Sequence, residues 1–197
     1  VADPSTPTCT LSTNTPNIAT GGSATLTVSN CPTATSYVWV GGTCAGTNTN
    51  TTCTVSPTNT TTYYVQGKNA NGPGAQASVT VTVQTVPGAP SVTSGTAGNA
   101  QVVVYFNAPS NTGGAAITGY WGSCTGGGST IISSLVTSSP LTVGGLTNGV
   151  SYSCSVGAKN SVGNGPLSNA VSVTPVAPAT VPGAPSVTSG TAGNAQV

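Results

Sequence analysis

The residues of this chain that could carry out acid–base, nucleophilic, redox or metal chemistry are few. They are six cysteines (Cys9, Cys31, Cys44, Cys53, Cys124 and Cys154), two lysines (Lys68 and Lys159) and the single carboxylate of Asp3; Glu, Arg, His and Met are absent. General acid–base catalysis draws on His, Glu, Asp or Lys positioned together in a cleft, and three such groups scattered over 197 residues do not supply one. Ser-His-Asp and Cys-His nucleophiles both need a histidine. Zinc wants His, Cys or carboxylates and calcium wants several carboxylates in one loop, so composition leaves only an all-cysteine zinc site. A phosphate-binding surface needs Lys and Arg in number, which argues against nucleic acid as a partner. The expectation is a protein that is not an enzyme, with no catalytic residue, no cofactor and no metal.

The cysteines fall four in the first half and two in the second, without C-x-x-C spacing. An even number in this arrangement reads as a disulfide framework formed in an oxidising, extracellular setting. Four cysteines allow three pairings. Cys9–Cys31 and Cys44–Cys53 are favoured, because the first joins the start of one strand to the end of its antiparallel neighbour and the second closes a short loop. Cys124–Cys154 is the intradomain option in the second half. Each bond is worth about 2–4 kcal/mol, mainly by restricting the unfolded chain. No Lys, Arg or His lies close in sequence to lower a thiol pKa, so a redox role is disfavoured.

The elements that hold these cysteines are strands. Charged residues make up 2% of the chain, against about 25% in ordinary soluble domains, yet 36% is hydrophobic and the net charge is +1, which is not the signature of disorder. The patterned stretches are rich in Val, Thr, Tyr and Ile, which suit a pleated, half-buried surface. In the first half CTLS, SATLTV, SYVWV, TTCTV, TTYYVQGK and ASVTVTV alternate with Gly, Pro and Asn punctuation, the rhythm of a sandwich. APSVTSGTA, QVVVYFNAP, AITGYWGSC, STIIS, SPLTV, GVSYSCSVGAKN and LSNAVSVTP repeat it in the second. No helical period stands out, and no stretch approaches the eighteen apolar residues of a membrane span. The opening VADPSTPTC reads as a mature or internal start, with any export signal upstream or removed. A surface this poor in charge is either a compositional bias or a face suited to packing against copies of itself.

The run VPGAPSV…AGNAQVVVYFNAPSNTGGAAITGY…LTNGVSYSCSVGAKNSVGNGP…SNAVSVTP, from Val86 to about Pro175, resembles fibronectin type III domains found in tandem in bacterial surface and secreted proteins. Phe106 stands where many members carry Trp in the second strand. The first half, with GGSATLTVSNC, SYVWVGGTC and TTTYYVQGKNANGPG, is similar to bacterial immunoglobulin-like domains, with Trp39 as the core tryptophan of its third strand. The resemblance implies β-sandwiches and an extracellular location, and no activity. Tyr152, six residues after Leu146, is placed to return its hydroxyl to the backbone upstream as a tyrosine corner.

Residues 85–102, TVPGAPSVTSGTAGNAQV, return without change as 180–197, the mark of a tandem array. The organisation expected is an immunoglobulin-like sandwich over 1–84, a fibronectin type III sandwich over 85–179, and at 180–197 either the first strands of a next repeat or a strand donated to a neighbour. Lys68-Asn69 and Lys159-Asn160 each precede a Gly/Asn loop, read as a tight turn with a solvated lysine or as a ligand loop. Tyr120 and Trp121 are candidate exposed aromatics; alternation sends them to opposite faces. Asn50 and Asn59 fit the glycosylation pattern. The glycine run 126–128 lacks the residues of a phosphate cradle. The expected role is that of a structural segment of an extracellular bacterial filament, stalk or adhesin, with copies of itself and surface glycans as partners. The alternative is a carbohydrate-binding or spacer module of a secreted polysaccharide-degrading enzyme.

Overall fold

A computed structural model describes residues 5–186 together with 188 and 193. Among them are seventeen strands and no helix. The alternation that fixes these strands is plain in TTYYVQGKN, where Tyr63, Val65, Gly67 and Asn69 turn inward while Thr62, Tyr64 and Lys68 face out.

The first sandwich contains β1 (Thr10–Thr13), β2 (Asn17–Ala19), β3 (Ala24–Ser29), β4 (Ser36–Val40), β5 (Gly46–Asn48), β6 (Thr52–Val55), β7 (Thr61–Asn69), β8 (Gly72–Pro73) and β9 (Ala77–Gln84). One sheet has the order β1-β3-β6; the other runs β2-β9-β7-β4-β5, with β8 paired to β7. All pairs are antiparallel except β2 with β9, where Ile18 lies opposite Val83. Leu26, Val65 and Val81 have no exposed surface, each worth about 2 kcal/mol relative to exposure. Trp39 lies in the same core, and its indole N–H donates to the Asn50 carbonyl at 3.2 Å, the partner a buried indole requires.

The second sandwich contains β10 (Ser91–Gly98), β11 (Gln101–Asn107), β12 (Ile117–Gly126), β13 (Ser129–Ile132), β14 (Leu141–Gly144), β15 (Tyr152–Asn160), β16 (Asn164–Leu167) and β17 (Val171–Val173). The sheet β10-β11-β14 faces the sheet β13-β12-β15-β16, with β17 also paired to β15. Phe106 and Tyr120 fill the space between them, ring centroids 4.8 Å apart. The tyrosine corner is formed: the Thr147 N–H donates to the Tyr152 hydroxyl at 3.1 Å. The two cores share no residue.

Cys9 is bonded to Cys31, Cys44 to Cys53 and Cys124 to Cys154. The first bond ties the leading end of β1 to the trailing end of β3, whose paired termini are Thr10 and Ser29. The third links directly opposed residues of β12 and β15 and is completely buried. Residues 180–186 are exposed and form no strand; the strand expected over the rest of 180–197, whether as a further repeat or donated to a neighbour, falls largely on residues outside those described.

Candidate functional site

Two places stand out: the seat that receives the incoming chain of each sandwich, and the outer face of the second sandwich.

The seat is built by the loop after β7 or β15, the one that follows Lys-Asn in both halves. Asn160 is 1% exposed. Its amide donates to the Thr85 carbonyl at 2.7 Å and to the Thr112 carbonyl at 3.0 Å, and its Oδ1 accepts from the N–H groups of Val162 and Gly163 at 2.9 and 3.1 Å. In the first sandwich the buried Asn69 repeats the device. Its amide donates to the Ser5 carbonyl at 3.1 Å and its Oδ1 accepts from the Asn71 N–H at 2.9 Å. A proline of each incoming segment, Pro7 or Pro87, is fully buried. It lies so close to Gly74 or Gly165 that any side chain there would strike the proline's carbonyl. The loop that could have been a ligand site is thus a socket for the chain's own backbone. Lys68 and Lys159 are exposed beside it.

In the second sandwich this socket is also the joint. Strand β9 ends at Gln84, whose side-chain amide donates to the Gly114 carbonyl at 3.0 Å. The next two backbone donors in the seat, Thr85 and Gly88, bond to the carbonyls of Gly113 and Asn111, both at 2.8 Å. The chain leaves far from this point. Gly95 lies against Val171 and Val173, and the Val176 N–H donates to the Gly98 carbonyl at 3.1 Å. Strand β17 therefore runs alongside β10 in the same direction, so the exit lies beyond the end of an eight-residue strand. At about 3.3 Å per residue, that strand alone puts more than about 20 Å between the two ends.

Tyr120 does not offer a surface aromatic. It is 7% exposed and packs on Phe106, because the pleat that sends Trp121 outward sends it into the core. Trp121 lies half-buried on the outer face, directly opposite Gly157, with Leu167 next in line across β15 and β16. Its indole lies across Gly157, where an added Cβ would come within 2.5 Å of Cε2 and 2.6 Å of Nε1. Trp121, Ile132, Ser133, Leu135, Lys159 and Asn164 line a groove of about 280 Å³. The Trp121 Nε1 donor is shut from solvent without an acceptor. Asn50 and Asn59, the glycosylation candidates, are both exposed. No cluster of three or more His, Cys, Asp or Glu that could hold a metal occurs among the described residues. Burial pushes the Tyr63 hydroxyl pKa up, against an opposing hydrogen bond to the Thr61 side chain.

No family model matches the chain, and no curated protein sequence does. Among solved structures, a crystal structure of consecutive domains from titin aligns with 87% of this chain and 67% of its own, at 19% identity and a TM-score of 0.54. Structures of titin kinase with its flanking domains and of the twitchin kinase region from C. elegans align over less than half of the chain. They have 22% and 21% identity and TM-scores of 0.39 and 0.43. The fold is that of tandem immunoglobulin-like and fibronectin type III β-sandwiches.

Proposed function

We propose that the chain is a non-enzymatic structural segment of an extracellular bacterial filament, stalk or adhesin, in which disulfide-locked sandwiches follow one another end to end. The observation that carries this reading is where the perfect repeat falls. Residues 85–102 include the segment seated in the joint, with the Thr85 carbonyl and Pro87 held by the second sandwich. The same letters return at 180–197, with Thr180 and Pro182 at the corresponding positions, after the chain has left the opposite end of that sandwich. A repeated joint segment is what an array needs to seat one more unit. Disulfides support an oxidising, extracellular location. A surface with almost no charge gives little repulsion between neighbouring copies, which makes copies of this chain its natural partners.

Cryo-electron microscopy of native extracellular material carrying the chain tests the proposal. Linear density with sandwiches in succession, each receiving its incoming strand in a socket like that around Asn160, is the expected result. Globular, strictly monomeric particles at high concentration would refute it. A second reading, a carbohydrate-binding or spacer module of a secreted polysaccharide-degrading enzyme, is favoured by Trp121 on the outer face. A catalytic domain in the same reading frame would select it.

A further inference from the structure

The groove beside Trp121 combines features that the fold does not require. On the outer face of a sheet in a chain with 2% charged residues, one of its two lysines stands over an apolar floor of Trp121, Ile132 and Leu135. Ile132 and Leu135 are each 55% exposed, so this apolar surface is not consumed by the sandwich's own packing. The described residues contain no carboxylate, so the Lys159 ammonium has no countercharge among them. Register puts Asn164 beside Lys159 across β15 and β16, and no hydrogen bond engages its side chain. Ser133, by contrast, is committed: its hydroxyl accepts from the Gly122 N–H at 2.8 Å and donates to the Ser134 carbonyl at 2.9 Å. The free polar groups at the rim are therefore a cation and an amide, above a seated indole whose own N–H lacks an acceptor. A mostly apolar concavity with a few converging polar groups is the usual make-up of a small-ligand site.

We infer that this groove binds one ring of an acidic saccharide, a pyranose bearing a carboxylate. The indole, held flat by the missing side chain of Gly157, offers its remaining surface to the apolar C–H face of the sugar. Lys159 takes the carboxylate in a charge-assisted hydrogen bond, and Asn164 takes ring hydroxyls. The volume of about 280 Å³ lies at the small end of ligand pockets, which suits a single ring of a longer chain. The first sandwich serves as an internal control. Lys68 lies opposite Ser36 there as Lys159 lies opposite Gly119, but Val38 occupies the place of Trp121 two residues on. The one aromatic on that outer face of β7, Tyr64, lies four residues from Lys68, so no indole floor stands beside the lysine. This inference does not rest on the filament reading; the groove is the same in a fibre or beside an enzyme.

The test is titration of the full chain with hexamers of galacturonate and of mannuronate, and with the methyl ester of the galacturonate hexamer, which keeps the ring and removes the charge. Binding is read by calorimetry and by tryptophan fluorescence. At ordinary ligand efficiency, affinity for one ring is about millimolar. The ester should bind about tenfold more weakly, and Lys159→Gln should reduce acid binding about tenfold while leaving the thermal midpoint unchanged. Added salt should weaken binding to the native chain and not to Lys159→Gln, and Lys68→Gln should have no effect. Trp121→Ala should abolish binding. Because that side chain is half-buried, the exposed Lys159→Gln and Asn164→Ala variants decide the matter if Trp121→Ala fails to fold. Equal affinity for acid and ester, or no binding of either acid, overturns the inference. So would failure to bind combined with self-association that Trp121→Ala removes, which would make the face a contact between copies.

Discussion

Asn160→Ala is the most informative perturbation of the joint. It removes four hydrogen bonds, two donated to the Thr85 and Thr112 carbonyls and two accepted from Val162 and Gly163. Each contributes about 1 kcal/mol net, and a buried partner left unmade costs somewhat more. Thr85 is exposed and Val162 and Gly163 are half-buried, so water can replace part of the loss. The expected destabilisation of the second sandwich is about 3 kcal/mol, or a fall in midpoint of roughly 10–20 °C for a domain of this size. Each sandwich carries one tryptophan, Trp39 in the first and Trp121 in the second, so fluorescence-monitored urea unfolding of Trp39→Phe and Trp121→Phe backgrounds resolves the two transitions. Only the transition reported by Trp121 should shift, and small-angle scattering should broaden as the hold on Thr85 is lost. A change below about 1 kcal/mol, or an equal shift of both transitions, would refute the account of the socket.

Gly157→Ala would press a methyl group into the Trp121 indole, 2.5 Å from Cε2; the expected cost is about 1–3 kcal/mol, with a red-shifted Trp121 emission in the folded protein. Replacing Cys124 and Cys154 together with Ser should destabilise by about 1 kcal/mol more than replacing Cys44 and Cys53, because the closed loops span 30 and 9 residues and the entropy lost by the unfolded chain grows with loop length; denaturant midpoints check the order. Stability should stay nearly flat from about pH 5 to pH 9, because the sequence holds no histidine and all six cysteines are bonded in disulfides. Burial raises the Tyr63 hydroxyl above its ordinary 10.0, so its contribution is complete below about pH 10 and is lost as pH rises through the folded-state value. Midpoints that fall between pH 6 and pH 8 would contradict this.

The strands were legible because alternation and turn residues act locally: SYVWV and TTYYVQGK needed no knowledge of their neighbours to declare an inward face. The tyrosine corner was readable for the same reason, since Tyr152 and Thr147 are five residues apart. What local pattern could not provide was the partner of a side chain distant in sequence. NGPL of β16 looks like a turn and is a strand, because Asn164 and Leu167 are matched to Lys159 and Gly157 through backbone pairing, which Gly and Pro side chains do not advertise. The same limit hid the role of Asn160, whose acceptor on Thr85 lies 75 residues away. A signal was present in the sequence: an Asn follows Lys at the same place in both halves, and a turn alone would not need it. For the pair Tyr120-Trp121, alternation showed that one side chain must be buried; which one depends on the facing Phe106, a matter of packing.

The placement of side chains along the strands has a consequence for durability. Both lysines, Lys68 in β7 and Lys159 in β15, lie inside hydrogen-bonded ladders. So do all the aromatic residues, from Tyr37 and Trp39 in β4 to Tyr152 in β15. Trypsin-like enzymes cut after lysine and arginine, and chymotrypsin-like enzymes after aromatics, in backbone that has been drawn out of its sheet. Every site they favour in this chain is therefore closed unless a sandwich opens. The connecting segments, made largely of Gly, Pro, Ser, Thr, Asn, Ala and Val, hold no lysine, arginine or aromatic residue. Without methionine, the chain also lacks the side chain most readily converted to a sulfoxide. A material strung from such units would offer enzymes that cut after lysine, arginine or aromatic residues no site in its linkers and only closed sites in its domains.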